Sequence, residues 1–293
     1  MSATAGPGTS AAPPPGPQLV LVNGKPGDVS PLDRGLHFGD GLFETIACKG
    51  GRARFLSLHL ERLASSCQRL HIQPGSLDTM RHEIERAASG ANDSLIKLIV
   101  TRGEAVARGY SWNGRETATR VLLRYEWPKE DPAAQRDGVR VRVASLRLGE
   151  NAALAGMKHL NRLEQVLARS EVPVDDAAEL LLFSSAGHLI SGTMSNVFLV
   201  THGALRTARV DLCGVAGVMR RVILREAAKA GLAAEECALS AADLAGASEV
   251  FLTNARFGIW PVRTLDEQSL SHGPVTRSLQ GLIAPMLESP VDA

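Results

Sequence analysis

Apolar residues recur in two rhythms along the chain. Between Phe55 and Leu70, residues Leu56, Leu60, Leu63, Cys67 and Leu70 fall at the spacing of a helix with one buried face. A second helical pattern starts at Gly217 and carries Met219, Val222, Ile223 and Ala227. A third, from about His159 to Ser170, places Leu160, Leu163 and Leu167 on one face. Strands are expected at 19–22 (LVLV), ahead of the turn Asn23-Gly24-Lys25-Pro26, and at 94–101 (SLIKLIVT) and 120–125 (RVLLRY). In 139–145, Val139, Val141 and Val143 alternate with Arg140 and Arg142, the two-residue period of a half-buried strand. Further strands are expected near 179–183, 195–200 and 249–253. Helices and strands mix without regular βαβ alternation, so the pattern predicts an α+β fold.

The polar stretch 127–138 (WPKEDPAAQRDG), with its two prolines, is the linker candidate. It divides a smaller N-terminal domain, 19–126, from a larger C-terminal one, 139–293. Residues 1–18 contain no Lys, no Arg and no apolar stretch, and read as a disordered Pro/Gly/Ala/Ser tail rather than a signal peptide.

Composition changes this picture little. Hydrophobic residues make up 44% and charged residues 22%, as in ordinary soluble globular proteins. Lys and Arg number 32 against 31 acidic residues, which leaves no electrostatic footprint for nucleic acid or an anionic membrane. A small-molecule partner is the expectation. Cys48, Cys67, Cys213 and Cys237 lie far apart without a CxxC pair, so neither a metal site nor a disulfide framework is expected, and a reducing cytoplasm is the natural setting. No apolar run has the length of a membrane span.

Six lysines are candidates for chemistry. Lys25, Lys49, Lys129 and Lys229 sit in turns, in the linker or near a helix end, where solvation is the simplest reading. Lys97 lies inside an apolar strand, as an edge-facing charge or a buried ion-pair partner. Lys158 precedes the expected 159–170 helix, whose unpaired amides would help the amine lose its proton. Position narrows the choice to Lys97 and Lys158 without closing it.

Six segments, in order, resemble the fold-type IV pyridoxal-phosphate enzymes, a family that includes branched-chain and D-amino acid aminotransferases and aminodeoxychorismate lyases. They are DRGLHFGDGLFETI (33–46), LHLERL (58–63), LAGMKHLNRLEQVLARSE (154–171), SGTMSNVFLV (191–200), GVAGVMR (214–220) and TNARFGIWPV (253–262). The resemblance implies an α+β fold with a small N-terminal α/β domain, a larger C-terminal domain built on a β-barrel-like core, and a homodimer. It also implies that Lys158 forms the Schiff base with pyridoxal 5'-phosphate. Arg62, which alone reads as an exposed helical arginine, matches the phosphate-binding arginine. Gly217, Val218 and Met219 match a turn that offers amides to the same phosphate, a role suited to a helix N-terminus. Asn196 belongs to the cofactor-binding motif, and Ala255 stands where aminotransferases carry a phosphate-binding threonine. Phe43, Arg108, Tyr110 and Asn254 match the substrate side. Asp33, Arg34 and Asp40 are expected to fix the N-terminal loop.

One departure is informative. Many family members carry a glutamate beside the pyridine nitrogen, in a motif like EGxxxN, where this chain has Ser191. A neutral hydroxyl makes a weaker electron sink than a carboxylate, which would favour elimination over aminotransfer. KHLNRLEQ, GVAGVMR and TNARFG resemble the aminodeoxychorismate lyase branch. The implied reaction is release of pyruvate and p-aminobenzoate from 4-amino-4-deoxychorismate, a step of folate biosynthesis. The alternatives are a D-amino acid or branched-chain aminotransferase, and a catalytically silent cofactor-binding scaffold.

Overall fold

The computed structural model describes residues 16–105, 108–129, 131–173 and 175–289. The expected tail falls mostly on 1–15, outside the described residues; by Gln18 the backbone already pairs with Arg124 O (2.7 Å).

The first half of the chain runs β1 (Leu19–Val22), α1 (Arg34–Phe38), β2 (Gly41–Lys49), β3 (Arg52–Ala53), α2 (Leu56–Leu70), α3 (Leu77–Ser89), β4 (Ser94–Thr101), β5 (Thr119–Glu126) and the single turn α4 (Ala133–Arg136) within the linker stretch. Its strands form one antiparallel sheet in the order β1-β5-β4-β2-β3. The two-residue period sorts their side chains. Leu42 and Ile46 of β2 and Ile96, Leu98 and Val100 of β4 join Leu56, Leu60 and Leu63 of α2 in one buried cluster. Each such leucine contributes about 2 kcal/mol by leaving water. The opposite face carries Phe43, Thr45 and Leu95 into a cavity. Lys97 shares that face, on a central strand rather than an edge, and its ammonium lies 5.3 Å from the Phe43 ring centre.

Asp33, Arg34 and Asp40 fix the N-terminal loop. Asp33 caps α1 by accepting from Gly35 N, and Gly39 ends the helix at φ 64°, a left-handed turn suited to glycine. Asp40 accepts from Arg34 Nε (2.9 Å) and Arg102 Nε (2.8 Å). Those two guanidinium groups hold its carboxyl below the usual range against the opposing effect of burial.

The second half runs β6 (Val139–Leu148), α5 (Leu163–Arg169), β7 (Glu179–Ser184), β8 (Leu189–Gly192), β9 (Asn196–Thr201), β10 (Ala204–Ala208), α6 (Val218–Lys229), β11 (Ala234–Cys237), α7 (Ala241–Ala245), β12 (Glu249–Asn254), β13 (Gly258–Leu265), β14 (Gln268–Ser269) and α8 (Pro274–Glu288). The pairing β9-β12-β13-β6-β7-β8 closes back on β9, giving a six-stranded mixed barrel, with β6 parallel to β7 and β13 and the other contacts antiparallel. Val197, Leu199, Val250 and Leu252 gather in one cluster. The intervening Phe198, Val200 and Phe251 pack against α6 and α8. Layers on both faces explain why β7, β8 and β9 read as nearly continuous apolar runs.

The helix expected over 159–170 is shorter. Residues 158–160 are not helical, His159 making an isolated bridge to Leu42, and α5 begins at Leu163. Leu160 N donates to Gly41 O (3.0 Å), which draws the start of the pattern onto β2. Leu163 and Leu167, expected to face a core, are 75% and 57% exposed. The cysteines described are free thiols. Among the described residues no helix is long and apolar enough to cross a membrane.

Candidate active site

The cavity, about 780 Å³, is walled by β2 and β4, by α2 and α5, and by three turns of the barrel half at 191–196, 214–219 and 253–256. Lys158 enters it from a segment stitched on both sides. Phe43 N donates to Lys158 O (2.9 Å) and ties the lysine to the free edge of β2. Upstream, Gly156 N donates to Gly214 O (3.1 Å) and Ala216 N donates to Gly156 O (2.9 Å). These bonds tie the lysine's segment to both walls. Its Nζ lies 4.3 Å from the Phe43 ring centre.

Burial pushes the Lys158 ammonium down to about 7, with Arg62 adding to the effect and Glu44 opposing it. The helix expected directly after it begins only at Leu163. The amine is thus substantially neutral near neutral pH, as a nucleophile requires.

Beneath it, Glu44 points from β2 toward α2, where His59 and Arg62 share one helical face. Glu44 accepts from His59 Nδ1 (2.6 Å), from Arg62 Nε (2.8 Å) and, in a still shorter bond, from Arg62 Nη2. Burial alone would raise the Glu44 carboxyl, but Arg62 and His59 outweigh it and bring it to about 2. Arg62 Nη1 donates to Ala216 O (2.9 Å), which sets the guanidinium beside the start of α6. Three of its five N–H groups are so engaged, and two remain for a ligand.

No side chain caps α6, because its cap residue is Gly217. The first amides, at Val218 and Met219, line the cavity unpaired by the helix. The Met219 side chain packs in the core, 1% exposed. Glycine at 217 is required by space: a Cβ would overlap Asn196 Oδ1. Asn196 Nδ2 in turn donates to Val215 O (2.9 Å), locking this turn to β9. We expect Gly217→Ala to weaken binding of a phosphate-bearing cofactor by roughly tenfold or more, the cost of overpacking a rigid turn, as read by absorbance titration.

On the opposite wall, Ser191 lies on β8 and its Oγ has no hydrogen-bond partner among the described residues. The following turn is organised by Glu179, a buried carboxylate. It accepts from Thr193 N (2.9 Å), Thr193 Oγ1, Met194 N (3.0 Å) and Ser195 Oγ (2.8 Å). Asn254 lines the cavity, and its Oδ1 accepts from Arg256 N and Phe257 N (3.0 Å each). Ala255 offers the cavity backbone and a methyl group only.

These groups fit pyridoxal phosphate. A desolvated lysine amine, a helix N-terminus with open amides and an arginine with spare donors suit its aldehyde and its phosphate.

The structure brings Phe43, Arg62, Lys158, Ser191, Asn196, Gly217, Val218, Met219, Asn254 and Ala255 to one cavity. Arg108 and Tyr110 are not among its walls. Both are exposed, Tyr110 at 82%, on a loop whose carbonyls at Gly109, Tyr110 and Ser111 are held by Arg34. Sequence reading overlooked His59, Arg162 and Glu179. His59 had a legible signal in its spacing from Arg62 on one helix; Glu179, distant in sequence from the turn it holds, had none.

The amino-transferase class IV family profile matches residues 41–265. An aminodeoxychorismate lyase of Vibrio harveyi is 34% identical over 268 residues, covering 90% of this chain and 98% of that protein. A D-alanine aminotransferase of Listeria monocytogenes is 27% identical, over 88% of this chain and 91% of that one. The crystal structure of 4-amino-4-deoxychorismate lyase from Pseudomonas aeruginosa superposes with a TM-score of 0.89 at 42% identity, covering 92% of this chain and all (100%) of that one.

Proposed function

Because the chain belongs to the amino-transferase class IV family, we propose that it is a pyridoxal-phosphate lyase that converts 4-amino-4-deoxychorismate to p-aminobenzoate and pyruvate. The observation that carries this reading beyond the family is the charge of the cavity. Its lining holds Arg62, Arg162, Arg169 and Arg256 beside the desolvated Lys158 amine and, among the described residues, no Asp or Glu, with Glu44 offsetting Arg62 from behind the wall. That surplus suits a cofactor phosphate together with a substrate bearing two carboxylates, and exceeds what an amino acid with an apolar side chain needs.

The bound cofactor supplies the electron sink that lets a C–H bond beside the substrate nitrogen break. Arg62 and the amides of Gly217, Val218 and Met219 bind its phosphate, and Glu44 holds Arg62 in orientation. Lys158 Nζ, lining the cavity with its amine desolvated, would remove the proton from the amine-bearing carbon of the substrate. Departure of the enolpyruvyl oxygen leaves an aromatic ring, and this driving force makes a strong sink unnecessary. Ser191 Oγ would offer the cofactor ring a neutral partner from the cavity wall. Ser191→Glu is expected to raise side aminotransfer from D-alanine to 2-oxoglutarate roughly tenfold, since a charged hydrogen bond exceeds a neutral one by about 1–1.5 kcal/mol. An unchanged rate removes Ser191 from this role.

Division into two domains about the linker and assembly as a cytoplasmic homodimer belong to the same reading. Leu163, Val166 and Leu167 present an apolar face of α5 beside the cavity mouth, which a second copy would cover. Arg108 and Tyr110, remote from the cavity of their own chain, are then available to that of the other.

The test is to supply cofactor-loaded protein with 4-amino-4-deoxychorismate and assay both products, with D-alanine and 2-oxoglutarate as the rival pair. Equimolar release supports the lyase. Turnover of the rival pair alone transfers the protein to the aminotransferases.

A further inference from the structure

Arg162 differs from the other cations of the cavity in what compensates it. Its Nε donates to His159 O (2.8 Å) and its Nη2 to Met157 O (3.3 Å), so the guanidinium folds back over the backbone of Lys158 itself. It forms part of the cavity wall. Among the described residues no carboxylate lies within ion-pairing distance of it. Glu164, the acidic residue next along the chain, accepts from Gly149 N (2.7 Å) and acts on Arg162 only through space.

Burial pushes the guanidinium down to about 10, with Glu164 opposing and Arg62 adding to the shift. Placing a cation with no ion-pair partner against Lys158, which must be neutral to react, costs stability unless something arrives to pair with it. The neighbours are occupied otherwise: Arg62 is bound to Glu44, Arg169 Nη2 donates to Ala177 O (2.9 Å), and Arg256 lies 5.7 Å from the ring centres of Phe257 and Trp260. With two of five N–H groups on carbonyls, Arg162 retains its Nη1 side for a planar oxyanion.

We propose that Arg162 is the receptor for a carboxylate of the substrate, and thereby a determinant of specificity for acidic substrates. This rests on the lyase reading for the identity of the substrate. Bound there, the carboxylate neutralises Arg162 and fixes the ring so that its amine-bearing carbon faces Lys158 Nζ.

The test uses the cofactor-loaded protein and calorimetric titration of three probes: 4-aminobenzoate, aniline, which lacks the carboxylate, and pyruvate. Wild type is expected to bind 4-aminobenzoate about tenfold or more tightly than aniline, the value of one charge-assisted contact. Arg162→Gln should bring that ratio close to one without changing aniline affinity, and raise KM for 4-amino-4-deoxychorismate more than it lowers kcat. Arg162→Lys, which keeps the charge, should retain part of the ratio. A merely structural defect would weaken 4-aminobenzoate and aniline alike. Loss confined to pyruvate also supports the proposal, and assigns Arg162 to the enolpyruvyl carboxylate. Unchanged affinity for both acids in Arg162→Gln, or equal weakening of 4-aminobenzoate and aniline, overturns it. If wild type releases no p-aminobenzoate from 4-amino-4-deoxychorismate, the lyase reading fails instead, whatever Arg162 does to the probes.

Discussion

Lys158→Ala is expected to reduce p-aminobenzoate formation by at least about 10⁴-fold while leaving the fold intact. On the proposed reading the variant loses both the covalent anchor of the cofactor and the base that removes the substrate proton, and a positioned base alone is worth about 10²–10⁴. The surrounding cavity would survive, because the segment is held through its backbone at Phe43 N, Gly214 O and Gly156 O, none of which needs the lysine side chain. The same residue predicts a pH dependence. With its ammonium brought down to about 7, covalent capture of the cofactor aldehyde should rise as pH increases through about 7 and level off above it. An ordinary lysine would be only ~0.3% neutral at pH 8 and still rising there. A capture rate that continues to climb between pH 8 and pH 10 would show that the amine is not desolvated as described.

Glu44→Ala is expected to destabilise the protein by about 3–5 kcal/mol, since it leaves part-buried Arg62 and buried His59 without their shared acceptor. A thermal melt should register this as a fall of roughly 10 °C, accompanied by weaker cofactor binding because the guanidinium is no longer pinned by its Nε side. The acid limb follows from the sign of the shift. The Glu44 carboxyl is depressed in the folded state, so its stabilisation is complete above the ordinary carboxylate range and is lost as pH falls from about 4.5 toward about 2. Wild type should therefore lose stability across that window more steeply than the Ala variant. A melt within 2 °C or so of wild type would mean that the cluster contributes little.

The contrast between Glu44 and its neighbours shows what was legible in the chain and what was not. Helix α2 followed from its spacing, and β4 and β7 from their apolar runs, because in each case the buried face is locally uniform. Strand β2 did not stand out. Its helix-facing positions are Leu42, Glu44 and Ile46, and the carboxylate in that row is tolerated only because His59 and Arg62 arrive from α2. Local pattern cannot show a partner that comes from another element. The α5 region failed for a different reason: Leu163 and Leu167 have helical spacing, yet they face outward, and spacing cannot distinguish a core from a surface that another chain would cover. For the site, Lys158 was separated from Lys97 by resemblance to a family rather than by position. The structure sets the two lysines apart in placement. Lys97 sits on the flank of Phe43 in the small sheet, whereas Lys158 is stitched between that sheet and the turn that starts α6. Arg162 was visible in the segment KHLNRLEQ but carried no sign of the role proposed for it, which depends on its guanidinium folding back over the backbone of Lys158.

The most direct test is to reduce the cofactor-loaded protein with borohydride and locate the pyridoxyl group by peptide mass spectrometry. The arrangement described here predicts a single label on Lys158, absent from Lys158→Ala. A label on Lys97, the other lysine beside the Phe43 ring, or one that persists in the Ala variant, would contradict it.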